Sequence, residues 1–170
     1  NLYLDGGTVI VNGPTNSGNG ALDYDGTCTI TGGTLIAAGA AGMAQSPTSS
    51  STQNVVSVIL PSSQAAGTMV SIVDESGTSV ITCSPTKQFQ SVIISSPLLT
   101  GGSTYTVYYG GSFNGSSESG LYEGSGYRPG TELSIFTISN VISNVSNGSA
   151  TGKMGIGGFG GGGMGSGRMR

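Results

Sequence analysis

The chain of 170 residues holds 32 glycines, no histidine and only 13 charged side chains, five basic and eight acidic. At 8% charged, against roughly 25% in an ordinary soluble domain, it lacks the Glu, Lys and Arg runs on which a helical bundle depends. A net charge of −3 and a pI near 4.5 argue against a nucleic-acid partner, and the missing imidazole removes His-based catalysis and ligation. What remains is rich in Gly, Ser, Thr and β-branched residues, so the expected class is all-β. No apolar run reaches the length of a membrane span, and none is expected.

Residues 1–45 read as coils of a β-solenoid. Thr8-Val9-Ile10-Val11-Asn12-Gly13 aligns with Thr27-Cys28-Thr29-Ile30-Thr31-Gly32 at an offset of 19, and Leu4-Asp5-Gly6 with Tyr24-Asp25-Gly26 at an offset of 20. This alignment stacks Val9 and Val11 over Cys28 and Ile30, with Thr34–Ala37 continuing the second coil past Gly32-Gly33. Two unrelated hairpins are the alternative. A solenoid needs about three coils to bury its apolar face. The open strand edge at Leu2 and Leu4 is therefore expected to meet either preceding coils or another copy of the chain. The start at Asn1 rather than Met fits processing or truncation.

Residues 46–53, dominated by Ser, Thr and Pro, read as a linker. Residues 54–147 then carry six runs expected as strands of a small antiparallel β-sandwich: Val55–Leu60, Thr68–Asp74, Thr78–Cys83, Phe89–Ile94, Thr104–Tyr109 and Leu133–Ile142. Asp74-Glu75-Ser76-Gly77 has the composition of a hairpin turn. The Gly/Ser-rich stretch 110–130 reads as an extended loop. Residues 148–170 form a Gly-rich tail whose cations, Lys153, Arg168 and Arg170, face no acid within the segment. The tail, with Phe159, is expected to dock on the acidic body or on a neighbouring copy.

Two constellations are candidates for chemistry. Asp23 and Asp25 share a face if extended, and Asp5 could lie one coil away, an oxygen cluster of the kind that Ca²⁺ takes. The alternative is that these aspartates accept turn hydrogen bonds. Tyr108, Tyr122 and Tyr127, with Glu123 and Arg128, could offer aromatic surfaces and polar groups to a sugar chain. Alternatively the tyrosines pin the long loop to the sandwich, and Tyr105 and Tyr109 share a face with Val107 that reads as core. Cys28 and Cys83 either pair or, the preferred reading, fill the core as small apolar residues. No placed carboxylate pair, base or phosphate loop is evident, so no enzyme is expected.

Asn19-Gly20-Ala21-Leu22-Asp23-Tyr24-Asp25-Gly26, Gly32-Gly33-Thr34-Leu35 and Ala40-Ala41-Gly42-Met43-Ala44-Gln45 carry a family resemblance. So do Phe89-Gln90-Ser91, Tyr105-Thr106-Val107-Tyr108 and Phe136-Thr137-Ile138-Ser139 downstream. Over most of residues 4–145 the chain resembles the C-terminal part of secreted bacterial carbohydrate-binding β-helix proteins, related in architecture to polysaccharide lyases. The resemblance implies a right-handed parallel β-helix, an extracellular or cell-surface location, an acidic or plant cell-wall polysaccharide as partner, and Ca²⁺ between coils. Only Asp23 and Asp25 fall on the matching motif. The expectation is thus terminal β-helix coils, a β-sandwich and a Gly-rich tail, forming a non-catalytic polysaccharide-binding module that self-associates. The alternative is a structural subunit of an extracellular filament or surface layer.

Overall fold

The computed structural model describes residues 1–147 and the backbone of 149–150, and all regular structure among them is β. Two six-stranded sheets, neither closed, account for most of it. Sheet A contains β1 (Leu2–Asn12), β2 (Cys28–Gly39), β6 (Phe89–Ser95), β3 (Val55–Gln64), β13 (Ile142–Ser146) and β14 (Ser149–Ala150), in that spatial order. Sheet B runs β12 (Thr131–Thr137), β7 (Thr104–Tyr109), β4 (Val70–Asp74), β5 (Ser79–Cys83), β10 (Leu121–Tyr122) and β9 (Ser117–Glu118). A small third sheet pairs β8 (Ser112–Phe113) with β11 (Tyr127–Arg128).

The two large sheets pack face to face around one core. Sheet A contributes Ile36, Val56, Val58, Val92 and Ile94, and sheet B contributes Val70, Ile72, Val107, Leu133 and Phe136. Sheet A is buried on its other face as well. There Leu4, Cys28, Ile30, Leu35, Ala37, Val55 and Ile93 form a second cluster with Leu22, under the segments 13–27 and 40–54. Burial on both faces explains the unbroken apolar runs Leu35–Ala38 and Val92–Ile94, since a strand wet on one side would alternate.

The described residues show the all-β class as open sheets, without a complete parallel β-helix coil. β1 pairs parallel with β2 and β13 pairs parallel with β3, but β2 continues antiparallel onto β6, which is antiparallel to β3 as well. The register of β1 on β2 also departs from the sequence alignment. Leu2 and Leu4, not Val9 and Val11, lie opposite Cys28 and Ile30, while Val9 and Val11 lie opposite Leu35 and Ala37. The match is set by two superposed corners, Gly6-Gly7-Thr8 against Gly32-Gly33-Thr34, 26 residues apart rather than 19 or 20. Gly7 and Gly33 have φ of +75° and +82°. A Cβ on Gly33 would stand 2.6 Å from the Gly7 carbonyl oxygen, so backbone stacks on backbone only if the corner carries no side chain.

Residues 46–53 lie along the first half of β2. The Thr48 and Thr52 N–H groups donate to the Cys28 and Ile30 carbonyls at 2.7 and 3.0 Å, and Ser51 Oγ accepts from the Ile30 N–H at 3.0 Å. Segments 1–45 and 54–147 share sheet A.

The sandwich strands fall close to their expected positions, with three differences. The first strand runs past the expected Leu60 to Gln64 and takes in Pro61, at a register shift between Ile59 and Gln64 where a residue without an N–H is tolerated. The run Leu133–Ile142 breaks after Thr137, because β12 pairs with β7 in sheet B whereas Ile142 onward pairs with β3 in sheet A. The stretch 110–130 is not one extended loop. It folds into the β9–β10 hairpin, turned by Ser119 at φ +51° and Gly120 and lying in sequence between the paired strands β8 and β11. The Asp74–Gly77 turn forms as expected, with Asp74 Oδ1 accepting from the Ser76 and Thr78 N–H groups, both at 2.9 Å. Beside the Ser76 hydroxyl and these amides, the Asp74 carboxyl is held below its usual value.

Candidate functional site

Sheet order leaves the two ends of the sandwich unlike. At one end β12 packs against β13 and β14 and closes it. At the other end the edge strands are β1 and β9, and between them opens a groove of about 1280 Å³. One wall is β1, through Thr8, Ile10 and Asn12, which point to one side because side chains alternate along a strand. The opposite wall is the segment 113–126, including Phe113, Ser117, Glu118, Leu121 and Glu123. Ile10 and Leu121 also touch the sandwich core and give the groove an apolar floor. Most of the remaining lining is hydroxyl and amide: Thr86, Asn114, Ser116, Ser119 and Ser125. Asn12 Oδ1 accepts the Thr86 N–H at 2.7 Å and ties the β5–β6 connection to β1.

Phe113 is the aromatic side chain of this lining, and it is held by its surroundings. The Tyr122 ring lies 4.7 Å away, centroid to centroid, tilted by 37°. A Cβ on Gly115 or Gly126 would stand 3.0 or 2.8 Å from Phe113 Cε1, so both positions need glycine for the ring to sit where it does.

The expected sugar-contacting residues divide. Glu123 lines the groove, and Tyr122 backs Phe113. Tyr127 is buried; its hydroxyl donates to the Gly110 carbonyl at 2.9 Å and accepts the Gly130 N–H at 3.2 Å. That is the loop-pinning arrangement, and burial pushes its phenol above the ordinary value. Tyr108 packs beside Tyr127, with centroids 6.5 Å apart. Arg128, exposed on β11, is not part of the lining. Tyr105 and Val107 belong to the core, and Tyr109 packs against it.

Asp5, Asp23 and Asp25 are all exposed. Among the described residues no three His, Cys, Asp or Glu side chains gather in a way that could hold a metal ion. Asp5 Oδ1 accepts the Thr31 hydroxyl at 2.6 Å, a bond between neighbouring strands, and the Asp25 carbonyl accepts from the Asn1 ammonium at 2.9 Å. Leu4 is buried in the second core, and Leu2 is half-buried against it. The β1 strand that carries them is an edge of sheet A. Lys153, Phe159, Arg168 and Arg170 lie outside the described residues.

Cys28 and Cys83 are unpaired and buried, in the second and the sandwich core respectively. Burial pushes the Cys83 thiol up to about 12 and raises that of Cys28. Burial and the raised values both disfavour the thiolate form.

Sequence reasoning missed Phe113 and the contribution of β1 to the groove. A lone aromatic within Ser112-Phe113-Asn114-Gly115-Ser116-Ser117 was the available signal. Among the described residues no helix is long and apolar enough to cross a membrane. Comparison with known proteins returns no matching family, no similar curated protein and no similar solved structure.

Proposed function

We propose that this chain is a non-catalytic, extracellular polysaccharide-binding module, and that the glycan lies in the groove between β1 and residues 113–126. The observation that carries this reading is the composition of the groove: an apolar floor, hydroxyl and amide walls, and a braced aromatic ring. Sugars present C–H patches and hydroxyls together, and such a lining meets both. The family resemblance supports the same reading. Non-catalytic binding is favoured because Glu118 and Glu123 are both exposed, whereas a glycosidase's acid works from an enclosed position. The finer fold reading, in which β1 and β2 are terminal coils of a right-handed parallel β-helix, is supported by their superposed Gly-Gly corners.

A second reading, a subunit of an extracellular filament or surface layer, is favoured by one observation. The 11-residue β1 is an edge strand whose neighbour runs parallel to it, a template for another strand. One experiment addresses both. The purified chain is incubated with insoluble plant polysaccharides, with and without a calcium chelator, and imaged by electron microscopy. Retention on a polysaccharide by monodisperse particles supports the binding module. Polymers indifferent to every polysaccharide favour the filament. Loss of retention with chelator would support the calcium that the resemblance implies.

A further inference from the structure

We propose that the groove selects uncharged glycan chains and disfavours acidic ones; this rests on the binding reading above and narrows its ligand class. The argument is one of charge. Among the described residues, the lining holds two carboxylates, Glu118 and Glu123, and no cation. Lys87 follows Thr86 in sequence but does not line the groove, and Arg128 lies on β11 outside it. A uronic acid chain carries one carboxylate per sugar, so each residue seated near a glutamate meets like charge. At 4 Å in water this repulsion amounts to about a five-fold loss of affinity per contact, and it fades with added salt. An uncharged chain escapes the penalty and keeps the apolar floor, the hydroxyl contacts and the Phe113 ring. The Ser and Thr hydroxyls and the Asn12 and Asn114 amides offer both donors and acceptors, as sugar hydroxyls require.

The test measures binding of the full chain to soluble hexasaccharides by calorimetry. Uncharged β-1,4-glucan, β-1,4-xylan and β-1,4-mannan are compared with α-1,4-galacturonan and alginate at low and high salt. At least one uncharged chain is expected to bind ten-fold or more tightly than either acidic one. In the Glu118→Gln/Glu123→Gln variant, whose substitutions are exposed and isosteric, the ratio of acidic to uncharged affinity is expected to rise at least five-fold at low salt. That rise should shrink at high salt. The series is repeated in a Lys153→Gln/Arg168→Gln/Arg170→Gln background, which separates binding by those three cations from binding in the groove. Acidic chains that bind as tightly as uncharged ones in that background overturn the selectivity while leaving the binding module intact. An unchanged affinity ratio in the glutamine variant also overturns it. If no chain of either kind binds, the binding module itself fails, and the selectivity with it. Phe113→Ala, checked for an unchanged melting profile, is expected to weaken the uncharged chain at least ten-fold.

Discussion

Toward sheet B, sheet A presents Ile36, Val56, Val92 and Ile94 to a partner sheet whose strands bring their own alternating residues. Toward the segments 13–27 and 40–54 it presents Leu35, Val55 and Ile93 to a cover of irregular chain. The first face is held by side chains meeting side chains between two hydrogen-bonded sheets. The second depends also on backbone meeting backbone, at the Gly33 corner and along Cys28 to Ile30. A regular layer cannot settle into a void without moving a whole sheet, whereas an irregular cover can, so equal losses of volume should be unequal in cost.

Neighbouring isoleucines on β6 give the sharpest way to break that contrast. Ile94 and Ile93 are 0% and 1% exposed and point to opposite faces. Urea unfolding is expected to show Ile94→Ala costing about 4 kcal/mol and Ile93→Ala about 2.5 kcal/mol; equal costs would mean that the cover is as rigid as sheet B. Next comes the stacked corner. Gly33→Ala forces a Cβ into the Gly7 carbonyl at a positive φ, and should cost roughly 2–4 kcal/mol. Gly6→Ala, where a Cβ would meet nothing within 4 Å, should stay within about 0.5 kcal/mol. Comparable losses at both positions would show that the backbone stack does not hold the pair.

The two thiols sharpen the comparison through pH. Cys83, in the sandwich core, keeps its proton to about 12 when folded, against 9.0 for an unperturbed thiol. Above pH 9 the unfolded chain sheds that proton and the folded one does not. This thiol's contribution should therefore be constant below pH 9 and cost about 1.4 kcal/mol of stability per pH unit above it, until the folded thiol titrates. In Cys83→Ala that share of the slope should vanish, as chemical denaturation across pH 8–11 would reveal. With a thiol reagent at pH 8, Cys28 under the irregular cover is expected to label before Cys83. The smallest effect belongs to the Asp74 turn. Its lowered carboxyl stabilises the fold above the ordinary value of 3.8, and that contribution is lost as the pH falls through the folded value. Asp74→Ala should thus lower Tm slightly at pH 7, and the deficit should shrink as the pH is taken down below 3.8.

The sandwich side was the more readable in the sequence. Val70–Asp74, Ser79–Cys83 and Thr104–Tyr109 are bounded by turn residues, and their local patterns sufficed to place them. The covered face was less so. Leu35-Ile36-Ala37-Ala38 has no alternation to betray a second cover, and nothing local says what lies above it. The register of β1 on β2 was misjudged because Asp5-Gly6 and Asp25-Gly26 look alike as turn dipeptides. The stack instead obeys Gly6-Gly7-Thr8 and Gly32-Gly33-Thr34, where the constraint is the space available to backbone. Of the groove, Glu123 and the bracing Tyr122 were anticipated. Phe113 was not, nor was β1, because a site between the edges of two sheets draws on residues about 110 positions apart that only sheet order brings together.

The order of strands in sheet A also has a consequence in time. β2 and β3 are separated in space by β6, so their inner edges stay unpaired until Phe89–Ser95 has left the ribosome. The other edge of β3 waits longer, for Ile142–Ser146. Through that interval the apolar run Leu35–Ala38 and its neighbour Val55–Val58 remain without their middle strand, in a chain with few charges to keep copies apart. β3 thus gains its second neighbour only after nearly the whole described chain has been made, and slowing translation before residue 89 should lengthen the period in which nascent copies can aggregate.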